Sequence, residues 1–187
     1  MVWKVMNYPT VFDLIANEFE QAGIVFVVAG GFAVNVHHVT RQTLDVDLLI
    51  AVDDVEKASR VLQAAGYQKG LGSPVVARFK GDGKIFLDID LMLMDPETLR
   101  KILKQSQATS IAGHSFRVLS LEHLIAMKFH AIKNDPITRE PKDLLDIIQL
   151  ARRNGMDIGG AVFRKLCNAY GTQELFKKIQ LLTKESS

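Results

Sequence analysis

Two pairs of aspartates are the residues of this sequence whose type and spacing best suit chemistry. Asp45 and Asp47 lie in the apolar run 44–50, and Asp88 and Asp90 lie in a similar run, 86–91. Because side chains alternate across a β-strand, each pair should point to one face of its strand. Neighbouring carboxylates repel each other and Asp is depleted in strands. A divalent metal ion offsets that cost, because Mg²⁺ binds carboxylate and phosphate oxygens.

Two such strands paired in one sheet would present three or four carboxylates to one point. This suits a two-metal phosphoryl-transfer site, in which ions roughly 3.5–4 Å apart hold the attacking and leaving oxygens. We therefore predict that Mg²⁺ or Mn²⁺ is held by Asp45, Asp47 and a third acid, either Asp88 or Asp90. The alternative is a solvated strand face, but the repetition of the pattern in two strands favours the metal site.

Upstream of the first acidic strand lie residues suited to binding phosphate. Gly30 and Gly31 follow a short apolar strand and open a helix, where glycine lets backbone N–H groups approach an anion closely. Arg41 and Thr43 immediately precede the acidic strand, so Arg41 could pair with a triphosphate and Thr43 could donate a hydrogen bond to it. An ordinary strand-to-helix turn and a surface arginine are the alternative interpretations.

The elements that must position these residues follow from apolar periodicity and turn residues. In chain order they are helix 10–21 capped by Thr10, strand 24–29, helix 32–39, strand 44–52, helix 53–65 capped by Asp53, strands 75–80 and 84–93 joined by the turn Gly81-Asp82-Gly83, a helix opened by Asp95-Pro96-Glu97, a hairpin or pair of short strands in 108–118, and helices after Ser120. This order predicts a mixed α/β (α+β) fold, with a mixed sheet flanked by helices. We assign 1–118 to a catalytic core and 119–187 to a C-terminal helical region.

The motifs taken together resemble a known family. The combination of Gly30-Gly31, Arg41-x-Thr43-x-Asp45-x-Asp47 and a third acid on a later strand resembles the polymerase-β-like nucleotidyltransferase superfamily. The C-terminal segments 124–131 and 139–146 are similar to two motifs of the AbiEii-type toxin nucleotidyltransferases; they contain Lys128, Lys142, Asp143 and Asp146. The resemblance covers residues 29–150, approximately two-thirds of the chain.

The resemblance implies an enzyme that transfers a nucleotide from an NTP to a hydroxyl acceptor. It implies that Lys128 and Lys142 contact the nucleotide phosphates, and that Asp143 and Asp146 hold those lysines or act near the acceptor. Small antibiotic nucleotidyltransferases often carry the third acid in a Leu-Asp-Ile-His stretch. Asp88 aligns with that acid, so the resemblance favours Asp88 slightly over Asp90.

The acceptor is left open by the sequence. The formal charge is only +2, but residues 151–187 contain seven Lys or Arg against three Asp or Glu. This basic tail and the AbiEii resemblance favour RNA, with tRNA as one candidate, and raise the prospect of an antitoxin partner. A small-molecule acceptor, as in antibiotic resistance, and a nucleotide- or partner-binding module without catalysis are the alternatives.

The compartment is predicted from what the sequence lacks. Cys167 is the single cysteine, so no intrachain disulfide can form. The N-terminal residues lack the apolar core of a signal peptide, and no apolar run reaches the roughly 18–20 residues needed to span a bilayer. We expect a cytoplasmic protein without a membrane partner.

Overall fold

The computed structural model describes residues 8–81 and 86–184. Within these ranges the chain forms two compact units, the first made of residues 8–32 and 42–119 and the second of residues 33–41 and 120–184. Residues 33–41 thus belong to the second unit, whereas the sequence-based division placed them in the core 1–118. The assignment of 1–118 and 119–187 as functional domains stays a prediction.

The first unit is built on a mixed sheet. Its strands in the described residues are β1 (Phe26–Val28), β2 (Asp45–Ala51), β3 (Gln68–Lys69), β4 (Val76–Lys80), β5 (Asp88–Met94), β6 (Gln107–Ile111) and β7 (His114–Val118). Their order in space is β3-β4-β5-β2-β1-β7-β6. The pairs β2–β5 and β1–β7 are parallel, and all other neighbours are antiparallel. The two acidic strands are therefore neighbours near the middle of the sheet.

The helices that begin in the first unit are α1 (Val11–Leu14), α2 (Gly30–Val36), α3 (Val55–Ala64) and α4 (Pro96–Gln105). Thr10 caps α1 as predicted, and the helix continues through a π-helical turn, Ile15–Phe19. A short 3₁₀ turn, Val52–Asp54, precedes α3, so Asp54 and not Asp53 occupies its N-cap position. The mixed sheet flanked by helices confirms the predicted α+β class.

Burial along β2 explains why only part of this strand is polar. From Leu48 to Ile50 three consecutive side chains are fully buried, so this end of the strand is covered on both faces. The first half instead alternates, with partly exposed aspartates and buried apolar residues. The strand therefore enters the core at its C-terminal end and offers one polar face at its N-terminal end.

The hairpin predicted from strands 75–80 and 84–93 is present as the antiparallel pair β4–β5. Asp82 and Gly83 of its predicted turn, and Lys84, the predicted start of the second strand, lie outside the described residues. The edge strand β3 was not predicted. It has two residues, both polar and exposed, so it carries no apolar alternation.

The second unit is helical. It contains the end of α2 and the helices α5 (Leu121–Asn134), α6 (Pro136–Arg153), α7 (Ala161–Tyr170) and α8 (Gln173–Lys184). The Ser120 hydroxyl caps α5 and the Asp135 carboxylate caps α6, as expected for residues that satisfy free helical N–H groups. Across the described chain, every helix is too short or too polar to cross a membrane.

Candidate active site

The four predicted acids form one face on two adjacent strands. In the parallel β2–β5 ladder, Asp45 is in register with Asp88, and Asp47 is in register with Asp90. Paired residues of a parallel ladder point to the same side, and neighbouring strands lie about 4.8 Å apart. The intervening apolar side chains point to the other face and are fully buried. We call the surface formed by these four carboxylates the acidic face.

The glycine pair lies against the N-terminal part of β2. Gly30 has a φ of +56°, and a Cβ at this position would lie 1.6 Å from Asp47 Oδ2. A Cβ at Gly31 would lie 2.4 Å from Thr43 Oγ1. The Thr43 hydroxyl is itself 2.9 Å from Asp45 Oδ1. Both glycines are therefore required by close approach, and they keep space open beside the acidic face.

The acids of β5 are held by cations of β4. Lys80 Nζ forms an ion pair with Asp88 Oδ2, and the Gly81 N–H donates to Asp88 Oδ1 at 3.0 Å. Arg78 is the register partner of Asp90, and its Nε lies 3.5 Å from Asp90 Oδ2. The predicted third acid, whether Asp88 or Asp90, thus already has a positive neighbour.

The pKa of Asp90 reflects this crowding. Burial is the largest influence and raises its pKa above the usual range for aspartate. The positive charge of Arg78 opposes that shift, whereas the negative charges of Asp45 and Asp88 add to it. The same proximity raises the pKa of Lys80, chiefly through its hydrogen bond to Asp88. Asp90 is therefore a stronger base than an ordinary aspartate.

The acidic face has the donor chemistry for a divalent metal. Its oxygen-only carboxylate set suits Mg²⁺ or Mn²⁺, and the bare Gly30 leaves room beside Asp47. In residues 8–81 and 86–184, however, no three His, Cys, Asp or Glu side chains already converge as metal ligands. An ion held by Asp88 would compete with Lys80 and with the Gly81 N–H for the same carboxylate. The assignment of Asp45, Asp47 and Asp88 as metal ligands stays a prediction.

Substituting Gly30 with alanine tests whether the close approach to Asp47 matters. Gly23 is the matched control, because its φ is +63° but nothing lies within 4 Å of an added Cβ. We expect Gly23→Ala to lower the free energy of unfolding by about 1 kcal/mol through backbone strain alone. Gly30→Ala should cost roughly 2–4 kcal/mol, because overpacking is added to strain. Urea denaturation measures both, and equal losses would show that the contact with Asp47 is unimportant.

A second set of predicted residues meets in the second unit. Lys128 is 6% exposed, and its Nζ lies 2.7 Å from both Asp143 Oδ1 and Asp146 Oδ2. The Arg41 guanidinium binds the same oxygen of Asp146, and Arg139 Nε lies 3.5 Å from Asp143 Oδ2. We call Lys128, Asp143, Asp146 and Arg41 the buried ion cluster. The sequence-based view that the aspartates hold a lysine agrees with this geometry for Lys128.

Arg41 is fixed at its backbone as well as its side chain. The Arg41 N–H donates to Asn35 Oδ1 at 2.7 Å, and Asn35 Nδ2 donates to the Arg41 carbonyl at 2.9 Å.

Lys142 is placed differently from Arg41 and Lys128. It is exposed, whereas Asp146, one turn further along α6, is buried in the ion cluster. The structure does not bring Lys142 into that cluster, and its contact with nucleotide stays a prediction.

Three residues around these sites were not identified from the sequence. Arg78 and Lys80 alternate on β4 as the acids alternate on β5, so complementary period-two charges in a predicted hairpin were an available signal. Asn35 gave no such signal, because a side-chain clamp on a loop backbone has no characteristic spacing. The structure is needed to find contacts of this second kind.

Comparison with known proteins places the fold and the family. Residues 10–186 match the model of a family described as uncharacterised nucleotidyltransferase. No curated protein matches the chain significantly in sequence. The antibiotic-resistance factor ANT(2'')-Ia has a similar structure, with a TM-score of 0.57 and 16% identity over 94% of this chain and 90% of its own. The lincosamide antibiotic adenylyltransferase LnuA gives a TM-score of 0.55 and 16% identity, over 77% and 98%.

A third similar structure is an antigenic nucleotidyltransferase-like protein from Paracoccidioides brasiliensis, with a TM-score of 0.50 and 16% identity over 89% of each chain. Identities this low establish a shared fold only. The family match supports the predicted nucleotidyltransferase superfamily, whereas membership of the AbiEii-type subgroup is not confirmed. Because the family model spans nearly the whole sequence, the chain belongs to this family of nucleotidyltransferases and is an enzyme of that class.

Proposed function

We propose that the acidic face of the first unit transfers a nucleotide from an NTP to a hydroxyl acceptor. The in-register pairing of Asp45 with Asp88 and of Asp47 with Asp90 is the observation that carries this proposal. A bound Mg²⁺ or Mn²⁺ would lower the pKa of the acceptor hydroxyl and neutralise charge on the triphosphate. Asp45, Asp47 and Asp88 are the residues proposed to hold it.

The chain's own groups account for the remaining requirements. The acceptor oxygen forms a bond to the α-phosphorus, the bond from that phosphorus to the bridging oxygen breaks, and pyrophosphate leaves. Asp90 accepts the acceptor's proton in this proposal, because its raised pKa makes it a better base than an ordinary carboxylate. Gly30 and Gly31 keep the approach beside Asp47 and Thr43 open for a phosphate. Arg41, Lys128 and Lys142 are proposed to bind phosphates on the strength of the family resemblance.

RNA is the first candidate acceptor. The cations of the C-terminal region that support this proposal are all exposed; they are Arg152, Arg153, Arg164, Lys165, Lys177 and Lys178. Exposed lysine and arginine bind nucleic acid by neutralising its phosphates and releasing counterions. An antitoxin partner is proposed on the AbiEii resemblance.

A small-molecule hydroxyl is the second candidate, and two observations favour it. Some of the tail cations already have protein partners: Lys178 pairs with Glu140, Arg152 donates to the Thr183 carbonyl, and Arg164 donates to the Gly159 carbonyl. These interactions reduce the charge available to a polyanion. In addition, ANT(2'')-Ia, whose structure with adenylyl-2''-tobramycin is similar to this chain, matches it over 97% of its own length.

A salt titration of RNA binding separates the two acceptors. Arg164→Glu with Lys165→Glu removes two exposed cations from α7, and we expect the slope of log K against log salt to flatten by roughly 0.7–0.9 for each RNA phosphate that is no longer neutralised. Arg100→Glu with Lys104→Glu, two exposed cations of α4, is the matched control and should keep the wild-type slope. Identical slopes for all three proteins would remove the support for RNA, and turnover with an antibiotic panel would then test the small-molecule acceptor.

A further inference from the structure

Two cations on β4 face the acids of β5 because the strand alternates. Ala77 and Phe79 are buried, with Phe79 fully so, which forces Arg78 and Lys80 to the opposite face. Their side chains are 59% and 67% exposed respectively. Ion pairs this exposed contribute little to stability, about 0–1 kcal/mol each. Arg78 and Lys80 can therefore exchange partners at little cost to the fold.

The net charge of this surface sets how many divalent ions it can neutralise. The four carboxylates of the acidic face together with Arg78 and Lys80 carry a net charge of −2, which one divalent ion neutralises. If the two cations are drawn away to another anion, the carboxylates alone carry −4 and can balance two divalent ions. The partners of Arg78 and Lys80 thus set the net charge that this surface presents to a metal ion.

We propose that Arg78 and Lys80 compete with divalent metal at the acidic face, Lys80 by pairing with the ligand Asp88 and Arg78 by neutralising the neighbouring Asp90. The phosphates of the nucleotide relieve this competition by binding the two cations. Metal and triphosphate then bind cooperatively at the acidic face, and each raises the affinity for the other by the same factor. This inference rests on the proposed function in one respect, namely that metal binds at the acidic face.

The geometry of the acids is consistent with this competition. Asp88 accepts hydrogen bonds from Lys80 and from the Gly81 N–H, and Asp90 lies beside Arg78. Two of the four carboxylates are thus engaged by β4, and within the described chain no three acids converge as ready metal ligands. Withdrawal of both cations would leave Asp88 and Asp90 beside Asp45 and Asp47 without their positive partners.

Metal affinity measured without turnover tests the proposal. Mn²⁺ binding to the nucleotide-free protein is followed by the electron paramagnetic resonance signal of free Mn²⁺, for wild type and for the Arg78→Gln, Lys80→Gln double variant. We expect the double variant to bind Mn²⁺ roughly 3- to 20-fold more tightly, which corresponds to losing two exposed ion pairs. Inorganic tripolyphosphate, with correction for the Mn²⁺ it binds in solution, should then strengthen Mn²⁺ binding in wild type and much less in the variant.

Three further variants make the outcomes distinct. Arg100→Gln with Lys101→Gln removes the same charge from α4, including the exposed Lys101–Glu97 pair, and should leave Mn²⁺ affinity unchanged. Arg78→Lys keeps the charge and should stay close to wild type. Equal or weaker Mn²⁺ binding in the double variant, or the same gain in the α4 control, would overturn the competition. If Mn²⁺ binds but Asp45→Asn does not weaken it in any background, the proposed function fails instead.

Discussion

Replacing Asp47 with asparagine is expected to reduce nucleotidyl transfer by on the order of 10³-fold and to leave the fold intact. Asparagine keeps the shape of the side chain but removes the charge that the proposed metal site needs. The in-register neighbour Asp90 and the nearby Asp45 repel Asp47 in the folded protein. Loss of this repulsion means that the free energy of unfolding should stay the same or rise.

The Asp47 prediction requires steady-state turnover at saturating Mg²⁺ together with urea denaturation of both proteins. Asp53→Asn is the matched control, since Asp53 is an exposed acid just after β2 and its substitution changes the net charge equally. That control should retain wild-type turnover. An Asp47→Asn enzyme with near-normal turnover would show that the acidic face is not the catalytic centre. A variant that lost activity only because it unfolded would be identified by its denaturation midpoint.

Replacing Lys128 with methionine is expected to lower the free energy of unfolding by about 3–5 kcal/mol, the usual cost of removing one partner from a buried ion pair. Lys128, Asp143 and Asp146 have side chains that are 8%, 5% and 8% exposed. Asp146 would keep Arg41, but among the ion pairs of the described residues Asp143 would keep that with Arg139, at 3.5 Å. Buried carboxylates with so little compensation are costly because water no longer solvates them.

The control for Lys128→Met is the same substitution at Lys101, whose ion pair is exposed and not buried. Lys101 and Glu97 are 69% and 68% exposed, so Lys101→Met should cost less than about 1 kcal/mol. Urea denaturation followed by far-UV circular dichroism gives both values. Lys128→Arg keeps the positive charge and should lose less stability than Lys128→Met, which provides a measurement if the methionine variant fails to fold. Equal losses for Lys128→Met and Lys101→Met would mean that burial of the cluster does not contribute.

The strands that carry the acids were predictable because their pattern is local. Alternation of aspartate with apolar residues in 44–50 and 86–91 fixes both the strand and the shared face, whatever lies next to it. The register that pairs Asp45 with Asp88 is not determined by local sequence. It depends on the crossover through α3, β3 and β4, and no feature of either strand's sequence specifies it. The pairing was therefore a hypothesis until the sheet order was known.

In the second unit, too, the sequence pattern alone does not determine which charged residues meet. Lys128 lies within an apolar helical stripe, where a charge is unusual, and a buried charge needs a partner. Local spacing on α6 puts Asp146 on the same face as Lys142, because residues four apart share a helix face. Packing of α5 against α6 decides which of them is buried.

The π-helical turn Ile15–Phe19 of the first unit was also not predicted, because one extra residue per turn barely changes an apolar pattern.

The path of the chain has a consequence for how this protein can be divided or recombined. The chain passes from one compact unit to the other three times, after residues 32, 41 and 119. A fragment of residues 120–184 would lack Arg41, one of the two cations that pair with Asp146, and the His37 carbonyl that accepts from Asn154 Nδ2 at 2.8 Å. A single genetic crossover near residue 119 would therefore exchange an incomplete helical unit. Exchange of the helical unit between relatives of this architecture would have to carry residues 33–41 along with the C-terminal helices.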